Sequence, residues 1–146
     1  MKHYRILTAS VLILLAVSAA GLTFAKRNDL ITKDQLVEMF DNLPKEPGWD
    51  PSKPLLWGYF FTDPSKEKLQ SVAPLLEQQG YRFVDIFLSE KDDPEEPDLW
   101  WLHVEKIETH DPHSLDQRNQ MFYLFADEHE IDSYDGMDVG PAPARH

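Results

Sequence analysis

Two Asp-Pro pairs, Asp63-Pro64 and Asp111-Pro112, do most to limit the folds open to this chain. Each follows a strand-length run of apolar and aromatic residues, Leu55 to Thr62 and Leu99 to Ile107. Each pair reads as a helix N-cap followed by proline at the first helical position, where a missing N–H costs nothing. The chain therefore turns from strand to helix twice. In the first helix Leu69, Val72, Ala73 and Leu76 share a face, and Gly80 marks a left-handed exit. Pro74 conflicts with that reading. It removes a donor and crowds the carbonyl of Gln70, at about 3 kcal/mol in an ordinary helix interior, so a kink or a turn of non-α geometry is expected there.

Between the two units, Tyr81 to Ser89 alternates Val84, Ile86 and Leu88 with Tyr81, Phe83 and Phe87, as a strand partly covered on both faces would. The acidic loop Glu90 to Asp98 separates it from the strand Leu99 to Ile107, where Trp100, Leu102 and Val104 point to the core and Trp101, His103 and Glu105 point away. A helix from Asp111 to about His129, with Leu115, Phe122, Phe125 and Ala126 inward, precedes a last strand within Ile131 to Asp138. The order β-α-β-β-α-β predicts an α+β, ferredoxin-like sandwich: four antiparallel strands with both helices on one face.

The flanks divide the rest. Ile6 to Ala25 is uncharged, follows Lys2 and Arg5, and precedes Lys26 and Arg27, the layout of a signal peptide or a single membrane anchor over residues 1–25. That segment places the domain in the periplasm or anchored at the inner membrane, with the periplasmic side favoured and no other membrane contact. Residues 26–54 hold a short helix opened by a Thr32/Gln35 capping box, with Leu36, Met39, Phe40 and Leu43 as its stripe, and then a proline-rich linker. The domain proper is 55–140, and 141–146 is a flexible tail.

Beyond residue 25 the chain carries 26 acidic and 12 basic residues, a formal charge of −14. That repels phosphate backbones, disfavours direct nucleic-acid binding and suits a protein partner with a basic surface. There is no cysteine, hence no disulfide and no thiolate metal site.

Several segments together resemble a known family. They are Leu56-Trp57-Gly58-Tyr59-Phe60, Gly80-Tyr81, the strand Trp100-Trp101-Leu102-His103-Val104-Glu105-Lys106, the helix after Asp111-Pro112, and the closing Tyr134-Asp135-Gly136. Over roughly residues 55–140 the chain resembles the bacterial regulators of ribonuclease E activity B (RraB). The resemblance implies the same fold and a non-catalytic regulator that inhibits ribonuclease E by direct binding, with no cofactor. No contact residue can be carried over from it. The N-terminal segment supports an alternative, an exported immunity-type inhibitor of a basic toxin or of another periplasmic protein.

Candidate site residues follow from chemistry. His103, His110 and His113 are weak candidates for zinc ligands in a metal-dependent hydrolase, with His110 and His113 otherwise solvated residues of a loop and first turn. Asp92, Asp93, Glu95 and Glu96 lie in a loop that offers no rigid cleft for acid–base work, and no nucleophile elbow or phosphate-binding loop occurs. They join Trp101, Trp57, Tyr134 and Asp135 as candidates for contacting a partner. Trp100 and Trp101 must face opposite sides of a regular strand. Trp101 is then either an anchor on an open sheet face or a residue buried there beneath the helix Ile31 to Leu43. An exposed sheet edge or face would also allow a homodimer.

Overall fold

The computed structural model describes residues 30–144. Its elements are α1 (Lys33–Asp41), β1 (Leu55–Asp63), α2 (Lys66–Gln78), β2 (Arg82–Leu88), β3 (Trp100–Glu108), α3 (Pro112–Glu128) and β4 (Ser133–Gly140). The strands form one antiparallel sheet in the order β2-β3-β1-β4, which is the ferredoxin-like arrangement expected from the element order. The segment 1–25, read above as a signal peptide or anchor, lies outside the described residues.

Alternation along the central strands sets the core. Tyr59 sits opposite Val104 on one side and Met137 on the other, and Phe61 sits opposite Leu102. Trp57, Tyr59, Phe61, Leu102 and Val104 are fully buried beneath Leu69 and Leu76 of α2 and Leu115 and Phe122 of α3. Each such side chain contributes about 1.5–3 kcal/mol through removal of apolar area from water.

Local chemistry ends the helices as the sequence suggests. Gly80 (φ 91°) closes α2, with Gly80 N–H donating to Glu77 O at 3.0 Å and Tyr81 N–H to Leu76 O at 3.2 Å. The same pair of bonds closes α3, with Glu130 in the left-handed position (φ 55°).

Four details depart from expectation. The N-cap of α2 is Ser65, not Asp63. Asp63 ends β1, buried, and accepts from Ser65 N–H at 2.7 Å and from Asp132 N–H at 2.9 Å, so it ties together two turns. α2 runs through Pro74 as α-helix; Pro74 and Gln70 are both exposed, where water can take up the freed carbonyl. In β2 the register slips between Phe83 and Asp85. That bulge puts Phe83, Ile86 and Leu88 on the helix side and Asp85 and Phe87 on the other, breaking the simple alternation. β4 ends at Gly140, later than the sequence suggests.

α1 takes the helix side as well. It packs on α3, the Phe40 ring lies 5.9 Å from that of Trp57, and Ile31 N–H donates to the Tyr123 hydroxyl at 3.0 Å. It does not lie over Trp101, and no described element packs on the opposite face of the sheet.

Candidate functional site

The two faces of the sheet carry polar groups of opposite character. On the helix side, where β3 ends, Tyr59 donates to Glu108 Oε1 at 2.6 Å and His110 Nε2 lies 2.7 Å from the same oxygen. Arg118 donates to that carboxylate too, and His110 Nδ1 lies 2.9 Å from Ser114 Oγ. Burial alone would raise the Glu108 carboxyl. The hydrogen bonds from His110, Tyr59 and Arg118 outweigh it and hold the pKa at about 2. Burial, reinforced by the Glu108 hydrogen bond, drives the Tyr59 hydroxyl far above its ordinary range, so it stays a donor. The cluster fastens the start of α3 to β3.

No described element covers the opposite face. Trp101 pairs across strands with Phe87, their rings 6.2 Å apart and within 7° of parallel, and the Phe60 ring meets it edge-on at 6.1 Å. Phe87 is 40% exposed and Ile107 51%, while Trp101, Phe60 and Leu56 are half-buried. Carboxylates share this face. Asp85 lies opposite His103, Asp138 lies opposite Gly58, and Glu105 is paired with Arg82.

Gly58 makes room at the centre. A Cβ there would collide with the Asp138 carboxylate and come within 2.8 Å of His103 Nε2. The His103 ring stacks on Phe60 at 4.4 Å, and its Nε2 is buried without a hydrogen-bond partner. Burial, together with the nearby Arg82 guanidinium, lowers its pKa to about 4 against the pull of Asp85, so the imidazole is neutral. Burial raises the Asp138 carboxyl above its ordinary value.

The candidates separate accordingly. Trp101 stands on the uncovered face. Trp57 and Tyr134 do not: both are core residues on the helix side, with Trp57 Nε1 donating to the Glu108 carbonyl at 3.1 Å and the Tyr134 hydroxyl donating to Asn119 Oδ1 at 2.7 Å. Their strand parity points them under the helices, so neither can serve as a surface anchor. Asp135 is exposed on β4 and accepts from Thr62 Oγ1 at 3.2 Å. Asp92, Asp93, Glu95 and Glu96 are exposed in the loop joining β2 to β3, beside the Phe87–Trp101 pair.

The histidines do not converge. His103 is on the uncovered face, His110 is buried on the helix side rather than solvated, and His113 is exposed on the first turn of α3. A sheet separates the first two. Among the described residues no group of three or more His, Cys, Asp or Glu could hold a metal ion.

Phe60, Phe87, Gly58 and Asp138 are absent from the site candidates read from the sequence. The β2 bulge hid the side on which Phe87 emerges. A glycine amid the bulky residues of β1 was the available sign of a close approach.

What the fold and face define is a ferredoxin-like domain with helices on one face of its sheet and no described element on the other. A family model described as regulator of ribonuclease activity B matches residues 33–139, and the chain belongs to that family. The match takes in α1, consistent with the packing of that helix on α3. A comparison with curated proteins found none that matches the chain. The family is one of regulators rather than enzymes, and a regulator of that description acts on a protein partner.

These findings correct the placement in the periplasm or at the inner membrane. Among the described residues no helix is long and apolar enough to cross a membrane, and membership in a family of ribonuclease regulators lends an exported address no support.

Proposed function

We propose that this chain inhibits a ribonuclease of the ribonuclease E type by binding it directly, through the uncovered sheet face and against a basic surface of the enzyme. The observation that carries the reading is the aromatic strip Phe87–Trp101–Phe60, left bare beside carboxylates on a domain whose other face is filled. Aromatic anchors ringed by charge supply affinity at the centre of an interface and steering at its rim. The −14 charge beyond residue 25 favours encounter with a basic surface and weakens in salt. The hydrolase alternative gains no geometry of its own, since His103 and His110 lie on opposite faces of the sheet.

The test is the rate at which ribonuclease E cleaves a labelled single-stranded RNA as the purified chain is added. Slowing that saturates, weakens with added salt and is lost in Trp101→Ala is the expected result. An unchanged rate at high concentration, with no complex on a sizing column, would overturn the reading.

A further inference from the structure

We propose that the uncovered sheet face engages its partner through arginine side chains, which lie flat on the Trp101–Phe87 wall and pair with the carboxylates around it. The inference rests on the reading of this chain as a protein-binding regulator and names the chemistry that the face selects.

Three rings cross the sheet from β2 through β3 to β1, at centroid spacings of 6.2 and 6.1 Å. The first two are stacked within 7° of parallel, and Phe87 at the end of the row is 40% exposed. Asp85 is exposed on the same face, one strand position from Phe87 in side-chain parity, and Asp135 is exposed toward β4. The loop from Glu90 to Asp98 adjoins the Phe87–Trp101 pair and holds six carboxylates against one lysine, Lys91, which is bound to Asp98.

This mixture discriminates among ligands. A purely apolar partner would strip water from carboxylates without replacing it. Bases of single-stranded RNA stack on aromatic strips of this kind, but here their phosphates would meet like charge. A lysine answers the charge but has no plane to lay on a ring. A guanidinium does both, stacking on an aromatic face while donating two parallel hydrogen bonds to a carboxylate. Arg82 already pairs with one carboxylate of the same face, that of Glu105.

The experiment titrates the full chain with a fluorescent Arg-Gly repeat peptide and with a Lys-Gly peptide of equal length and charge, following anisotropy. The arginine peptide should bind roughly tenfold more tightly. Trp101→Ala should abolish that preference and leave the weaker, lysine-type affinity, with Phe87→Ala as the second variant should the first fold poorly. Equal affinities for the two peptides, or a preference that survives both substitutions, would overturn the proposal. So would tight binding of a labelled single-stranded RNA that Trp101→Ala removes. If the chain slows ribonuclease E yet shows no arginine preference, this inference fails and the regulator reading stands. If the preference appears and Trp101→Ala removes it while ribonuclease E is unaffected, the chemistry of the face stands and the ribonuclease falls as its partner.

Discussion

The two faces of one sheet, built from alternating residues of the same strands, hold their charged groups differently. Under the helices, Glu108 collects hydrogen bonds from Tyr59 and Arg118 and lies against His110, so a buried charge is fully compensated. On the other side, His103 keeps a buried nitrogen with no partner, beside a carboxyl that burial has pushed up. The face packed beneath its own helices supports the fold, even with Asn119 Nδ2 left there without a partner, whereas a face with stacked rings, carboxylates and an unmet imidazole nitrogen is suited to completion by something else.

Substitutions that break this contrast should do so by unequal amounts. Trp57→Ala removes a fully buried ring from between Phe40 and His110 and should cost about 3–5 kcal/mol in urea denaturation, enough to threaten folding. Glu108→Ala should cost about 2–3 kcal/mol. That is below the figure for a deeply buried pair because Glu108 and Arg118 keep 15% and 18% of their side-chain exposure.

The third prediction concerns pH. His103 has a pKa of about 4 in the folded chain against an ordinary 6.5, so as pH falls the unfolded chain takes up the proton first. Its stabilisation is present above pH 6.5 and is lost as pH falls from there toward 4. His103→Gln should flatten the stability profile in that window by about 1–2 kcal/mol, allowing for the partial exposure of the ring. Glu108, held at about 2 against an ordinary 4.5, governs the window below 4.5, so the two faces should titrate apart. A profile of denaturation midpoint against pH for both variants checks this. A single shared transition would dissolve the distinction between the faces.

The smallest stability effect sharpens the comparison most. Trp101→Ala should cost under about 1 kcal/mol, because the ring rests on a surface rather than within a packed interior. A loss as large as that from Trp57→Ala would mean that the uncovered face is structural.

Much of this was legible in order along the chain. The Asp-Pro pairs announced both strand-to-helix turns, although at the first of them Ser65 took the capping role because Asp63 is held by two backbone amides across the turn. Period-2 alternation placed Trp101 and His103 together on the side away from the helices. It could not place Phe87, because one extra residue at Val84 shifts every later side chain of β2 to the other face. Nor could it tell that α1 would join α3 and leave the opposite face bare, since an amphipathic stripe states that a helix packs but not on what.

Element order, acidic charge and family resemblance could all be read along the chain, because caps, periodicity and composition are local properties. The three-dimensional arrangement was needed to show that Trp57 and Tyr134 are core, that His103 and His110 never meet, and that Gly58 brings the His103 ring and Asp138 together. Those outcomes depend on strand register and on which face a helix covers. Both are set by contacts between residues far apart in the chain, which no local pattern encodes.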